Sequence, residues 1–128
     1  MGEGRGWLAR MLHRLTADTQ ELEAEDLRRA AIAEGAVPAA ECRDGQDVLI
    51  AGFIRSVTTR ARSGGSSLEV DVYDGSGTVT LVFIGRRHIP GIEAGRSLRA
   101  SGRVVMQENR TIIFNPRYEL LPAPSVNT

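Results

Sequence analysis

The 128-residue sequence has no lysine, one cysteine, two histidines and aromatic side chains at only 5% of positions. Without lysine there is no phosphate-loop GxxxxGK[ST], and no HExxH metal motif occurs either. Cys42 has no partner for an internal disulfide and none at zinc-ligand spacing, which excludes a disulfide scaffold and a structural zinc and reads as a cytoplasmic chain. His13 and His88 lie in different parts of the chain. Apolar runs are short, as at Val82-Phe83-Ile84, against the roughly 20 residues a membrane helix needs. Arg10, His13 and Arg14 interrupt what would have to be the apolar stretch of a secretory signal. Glu69 and Asp71 share one side of a strand with nothing convergent beside them, a solvated face rather than an acid–base pair. These absences lead to the expectation of a protein that is not an enzyme and takes no metal and no cofactor.

The composition that remains is ordinary for a globular protein, 41% hydrophobic and 25% charged, and predicts one compact domain with a modest extra element. Sixteen arginines balance sixteen acidic residues, but unevenly. Residues 1–44 hold six Arg and nine Asp or Glu, and residues 45–128 hold ten and seven, so the two parts carry −3 and +3. Exclusive use of Arg fits a G+C-rich coding sequence. It also supplies the side chain that forks onto phosphate and stacks on bases.

Residues 1–44 read as a helical extension. Trp7, Leu8, Met11, Leu12 and Leu15 recur at three- and four-residue spacing, and Leu22, Leu27, Ala30, Ala31 and Ala33 do so less cleanly. Thr16 or Asp18 would cap a second helix with Glu21, Glu23, Glu25 and Asp26 in its first turns, and Gly35 would end it. Trp7, Met11 and Leu15 form a stripe suited to docking on the domain, a partner protein or a second copy.

After Asp44-Gly45 the spacing changes to alternation. Val48, Ile50, Gly52 and Ile54 mark a first strand, with Gly52 at a bend or bulge. Residues 58–67 read as a flexible loop. Leu68, Val70 and Val72, then Asp74-Gly75-Ser76-Gly77, then Val79, Leu81 and Phe83 predict a β-hairpin. The irregular stretch 85–95 has room for one helical turn. Two more strands follow, Leu98 to Met106 and Arg110 to Asn115, joined at Gln107-Glu108-Asn109, and pairing can resume at Tyr118 after Pro116. Residues 45–121 therefore predict a mainly β domain, a five-stranded Greek-key barrel, too few strands for a sandwich of about seven. Residues 122–128 predict a flexible tail.

The runs Val48-x-Ile50-x-Gly52-x-Ile54, Val70-x-Val72-x-Asp74-Gly75-Ser76-Gly77, Val79-x-Leu81-Val82-Phe83, Gly95-x-x-Leu98-x-Ala100-x-Gly102-x-Val104 and Phe114-Asn115-Pro116-x-Tyr118-Glu119 resemble the nucleic-acid-binding OB module. They are similar to the wedge-type OB domain of branched-DNA helicases and the anticodon-binding OB domain of tRNA synthetases. The Trp-bearing helical start, Ala40-Glu41-Cys42-Arg43, Gly85-Arg86-Arg87-x-Ile89-Pro90-Gly91-Ile92 and Asn115-Pro116-Arg117-Tyr118-Glu119-Leu120-Leu121 resemble small stand-alone bacterial OB-fold proteins.

The resemblance implies an OB barrel binding single-stranded or structured DNA or RNA without catalysis. Its ligand face is built from strands two and three, flanked by the loops between strands one and two and between four and five. On that plan Arg60 and Arg62 fall on the first loop, Arg110 beside the second, and Arg86 and Arg87 just after strand three. Tyr73 and Phe53, out of phase with the core candidates, are the expected base-stacking platforms. Zero net charge, with Glu69 and Asp71 on the face strand, predicts modest and strongly salt-dependent affinity. The acidic extension is placed to cover the groove in the free protein. The alternative is an adaptor whose barrel or Trp7 helix docks a partner protein.

Overall fold

The computed structural model describes Thr19 and residues 21–122. The Trp7, Met11 and Leu15 stripe and residues 123–128 of the expected tail lie outside the described residues. Residues 21–33 are helical. Gly35 ends this helix at φ 98°, where a side chain would be strained, while the Gly35 N–H bonds the Ile32 carbonyl at 3.0 Å and the Ala36 N–H bonds that of Ala31 at 2.9 Å. This double closure satisfies carbonyls that the helix itself leaves unpaired. The buried side of the helix carries Ala24 and Ala31, two turns apart, whereas Leu22 faces outward. Small side chains, not the larger leucine, therefore mark its inner face. Arg28 anchors the helix by donating from Nη1 to the Asp74 carbonyl at 3.1 Å, and Glu34 at its end pairs with Arg99.

A short 3-10 turn, Ala39–Glu41, leads to six strands: β1 Asp47–Arg62, β2 Gly65–Tyr73, β3 Thr78–Ile84, β4 Ser97–Gln107, β5 Arg110–Phe114 and β6 Arg117–Leu120. Pairing runs β1–β2–β3–β5–β4 and returns from β4 to β1, so the hydrogen bonds form a ring, and β6 lies along β4. The β3–β5 pair is parallel and the others antiparallel. The protein is mainly β with a helix before the strands, as expected. The number of strands is corrected from five to six. Pro116 cannot donate to a ladder, but Asn115 takes φ 48°, donates from its backbone N–H to the Val82 carbonyl at 2.7 Å and accepts from the Ile84 N–H at 2.9 Å. The reversed chain then pairs with the first half of β4.

The stretch 58–67, expected as a loop, is instead paired ribbon. The β1–β2 register continues to Arg62↔Gly65, with Ser63-Gly64 as a two-residue turn. Gly64 takes a positive φ in this turn, 88°, which glycine adopts without steric cost. Gly52 also has a different role from the one expected. The bulge falls at Arg55, where the register shifts between Ile54 and Ser56, and Gly52 is instead a close approach, since a Cβ there would meet the Tyr73 carbonyl. At this point β1 leaves β4 and joins β2, with Phe53 pairing to both. Inward residues of all five ring strands, among them Ile54, Val70, Leu81, Leu98 and Ile113, form one core. Stretch 85–95 has no helical turn, but it contributes the buried Ile89 and Ile92.

Candidate nucleic-acid interface

With Val70, Val72, Val79 and Leu81 inside, the alternate residues of β2 and β3 point away from the core. The ladders align Ser56 with Asp71 and Thr80, Thr58 with Glu69 and Val82, and Arg60 with Ser67 and Ile84. The parallel β3–β5 register adds Ile112 beside Thr80 and Phe114 beside Val82, which puts Arg110 on the same face. The result is a four-strand face outside the core, crossed by a chain of polar contacts, whose floor of Ser67, Glu69, Thr80, Val82 and Ile112 is itself buried.

Two carboxylates organise it. Asp71 accepts from the Ser56 hydroxyl at 3.1 Å on Oδ2 and from the Thr80 hydroxyl at 2.8 Å on Oδ1. Glu69 keeps only 9% of its side chain exposed and pairs with Arg60 through Oε2 and with Arg110 Nη2 at 3.7 Å through Oε1. Arg110 Nη2 also donates to Thr80 Oγ1 at 3.3 Å. A carboxylate so nearly buried is tolerable only when its charge is matched, and here β1 and β5 each supply a guanidinium. Asp71, Thr80, Asn109 and Arg110 line a depression of about 340 Å³ at the β4–β5 turn. That turn is tight because Glu108 and Asn109 both adopt positive φ, 50° and 62°.

The other expected contacts lie around this surface. Arg62 Nε donates to Ser67 Oγ at 3.0 Å, on the ribbon rather than on a loop. Arg86 and Arg87 are exposed just past β3, and the Thr59 hydroxyl donates to the Arg87 carbonyl at 3.2 Å, which holds this segment against the ribbon. Among the described residues neither of these guanidiniums has an ion pair. At the opposite end Phe53 and Tyr73 meet edge to face with centroids 5.8 Å apart. Phe53 is buried, and Tyr73 is half-buried.

Sequence reasoning left two residues out of this cluster. The Arg55 guanidinium lies 3.5 Å from the Tyr73 ring centroid, close enough for a cation–π contact. The Phe53-x-Arg55 spacing on one strand face was the available signal. Glu21, from the helix, accepts a hydrogen bond from the Tyr73 hydroxyl, and nothing local links those two positions. This bond raises the Tyr73 pKa above its ordinary value, because ionisation would remove the donated proton and set a phenolate beside a carboxylate.

The acidic turn at Asp74 is structural. Asp74 Oδ1 accepts from the Ser76 and Gly77 N–H groups at 2.9 and 3.1 Å, and Oδ2 accepts from the Ala39 N–H at 2.8 Å. The carboxylate thus closes the hairpin and ties it to the 3-10 turn. Among the described residues no group of three His, Cys, Asp or Glu side chains is placed to hold a metal. Buried Cys42 has its thiol pushed up to about 11, chiefly by desolvation. No helix of the described residues is long and apolar enough to cross a membrane.

A ring of five strands with parallel β3–β5 pairing, and with charged and aromatic side chains collected outside β2 and β3, defines an OB-type module. Residues 48–121 match the tRNA anticodon-type family described as the OB-fold nucleic acid binding domain, and the chain belongs to that family. No curated protein matches the chain. Among solved structures it is similar to a chain of a replication protein A heterotrimer bound to ssDNA, at 16% identity and a TM-score of 0.46. The similarity covers 65% of this chain and 62% of that one, so the match spans less than two thirds of that chain.

Proposed function

We propose that the outer face of β1, β2, β3 and β5 binds DNA or RNA, single-stranded or structured, without catalysing a reaction. The observation that carries this reading is the gathering of Arg60, Arg62 and Arg110 on one surface that ends in the Arg55–Tyr73 stack. Arg86 and Arg87 flank it. In this reading the arginines meet phosphates, a base stacks at Tyr73, and Phe53 supports the Tyr73 ring from its edge. The hydrogen-bonded ring acts as a Greek-key OB barrel over residues 45–121, with residues 1–44 as an extension that keeps Tyr73 engaged through Glu21. Affinity is modest, because carboxylates share the face and few phosphates are neutralised.

The test is fluorescence anisotropy of labelled oligo-dT and oligo-U at low and moderate salt, with the Arg60→Ala/Arg62→Ala chain as control. The expected result is saturable binding that weakens with salt and in the double variant. Absence of binding to either strand at about 100 µM protein, where even non-specific contacts register, overturns the proposal. A second reading, protein docking or self-association through the extension, draws on exposed Leu22 and Ile32 of the helix. A complex that survives nuclease treatment and is lost on Trp7→Ala/Met11→Ala/Leu15→Ala would favour it.

A further inference from the structure

Resting on the nucleic-acid reading above, we propose that Glu69 is a built-in competitor for backbone phosphate, holding Arg60 and Arg110 in the free protein and limiting how tightly the face binds. Three strands converge on this one carboxylate: it stands on β2, Arg60 reaches it from β1 and Arg110 from β5. The Glu69 side chain is 9% exposed, whereas those of Arg60 and Arg110 are 60% and 45% exposed. The anion is sheltered while both cations still open to solvent. An incoming phosphate can therefore approach the two guanidiniums from outside, but must share them with a charge already seated.

Stability alone gives little reason for this arrangement. Burying a carboxylate costs several kcal/mol of desolvation before pairing returns any of it, and the neighbour in register on β3 is the apolar Val82. Asp71, two residues along, provides the internal contrast. Its oxygens are held by the hydroxyls of Ser56 and Thr80, so its charge occupies no guanidinium. Arg62, bonded to Ser67, together with Arg86 and Arg87, forms an open set for first contact. Arg60 and Arg110 form a second set that engages phosphate only in exchange for Glu69. A long polyanion spans both sets, and an isolated phosphate does not.

The experiment measures oligo-dT and oligo-U affinity against salt for the full chain, Glu69→Gln and, as a charge-matched change at an exposed carboxylate on β6, Glu119→Gln. Releasing two arginines to single-strand phosphates should steepen the log–log salt slope by about 1.4, or about 0.7 for each. It should also tighten binding at low salt by about tenfold or more, as relief of like-charge opposition does. Glu119→Gln should leave the slope unchanged. Equal gains in the two variants would reduce the effect to net charge and overturn the proposal. Unchanged or weaker binding by folded Glu69→Gln would overturn it too, by making Glu69 an orienting partner of the arginines. If wild type binds and Glu69→Gln gains nothing, only the competitor fails; if neither binds, the nucleic-acid reading fails with it. Should Glu69→Gln not fold, the Nε–Hε resonance of Arg60 in the wild-type chain provides the test. It should move on saturation with oligo-dT and stay in place with inorganic phosphate, and an unmoved resonance at saturation would overturn the proposal.

Discussion

Strand β1 is one continuous run of 16 residues with two different surroundings. From Val48 to Ile54 it is almost wholly buried and paired with β4 as far as Phe53, whereas from Arg55 to Arg62 it is exposed throughout and, past the bulge, paired with β2 alone. The handover occurs over four residues, where Gly52 lets β1 pass against the Tyr73 carbonyl and the bulge at Arg55 resets the register. The first half has both faces covered, so its side chains are chosen for packing. The second half projects as a ribbon, and its side chains are free to carry charge. One strand thus builds the core at one end and the candidate binding face at the other, and the bulge lets each half keep its own alternation.

The largest effect should come from breaking the buried half. Ile54→Ala is expected to cost about 2–5 kcal/mol in denaturant unfolding, because Ile54 is fully enclosed, while Val57→Ala on the ribbon should stay within about 0.5 kcal/mol. Similar losses for the two would erase the distinction between the halves. Next, Gly52→Ala should cost about 1–3 kcal/mol by overpacking, since its Cβ would meet backbone and not a movable side chain. An unfolding midpoint equal to wild type would show that the handover does not depend on that close approach.

A smaller change in stability but a clear one in binding is expected from Arg62→Ala/Arg87→Ala. Its melting curve should overlay that of wild type, while the salt slope for single-strand binding falls by about 0.7 for each lost phosphate contact. The smallest effect is on the latch between helix and face. In Glu21→Gln, the Tyr73 phenol should titrate closer to its ordinary value of about 10. A raised folded-state pKa means that the latch stabilises the fold fully below the ordinary phenol value and loses that contribution as pH rises through the raised one. Ultraviolet titration of tyrosine ionisation checks this, and an unaltered curve would contradict the Glu21–Tyr73 bond.

The parts of the fold legible in the sequence were those encoded by nearby residues. Val70 and Val72 alternate into Asp74-Gly75-Ser76-Gly77 and out again through Val79 and Leu81, so the β2–β3 hairpin is local in origin. The ribbon was not legible, because Arg60, Arg62, Gly64 and Gly65 look like a loop until the partner strand is known, and cross-strand pairing decides the matter. Resumed pairing at Tyr118 was legible, but β6 was left out of the strand count because its partner, β4, depends on where Asn115 turns the chain. In the helix, Ala24 and Ala31 carry too weak a hydrophobic signal to outweigh Leu22, although close packing favours them. The face was legible only as a set of arginines near β2 and β3. Its organisation rests on Glu69 reaching Arg110, and on Glu21 reaching Tyr73, 52 residues apart. Contacts at such separations leave no periodicity to read.

The measurement that tests the central claim most directly is a ¹⁵N–¹H correlation titration of the full chain with oligo-dT. The account predicts saturable amide shifts concentrated on the exposed half of β1, from Ser56 to Arg62, on Glu69 to Tyr73 of β2 and at Asn109 and Arg110, with Val48 to Gly52 unmoved. Shifts centred instead on Arg99, Ser101 and Arg117, which line depressions beside the buried half of β1, would contradict it, because the ligand would then lie on the wrong half of the strand.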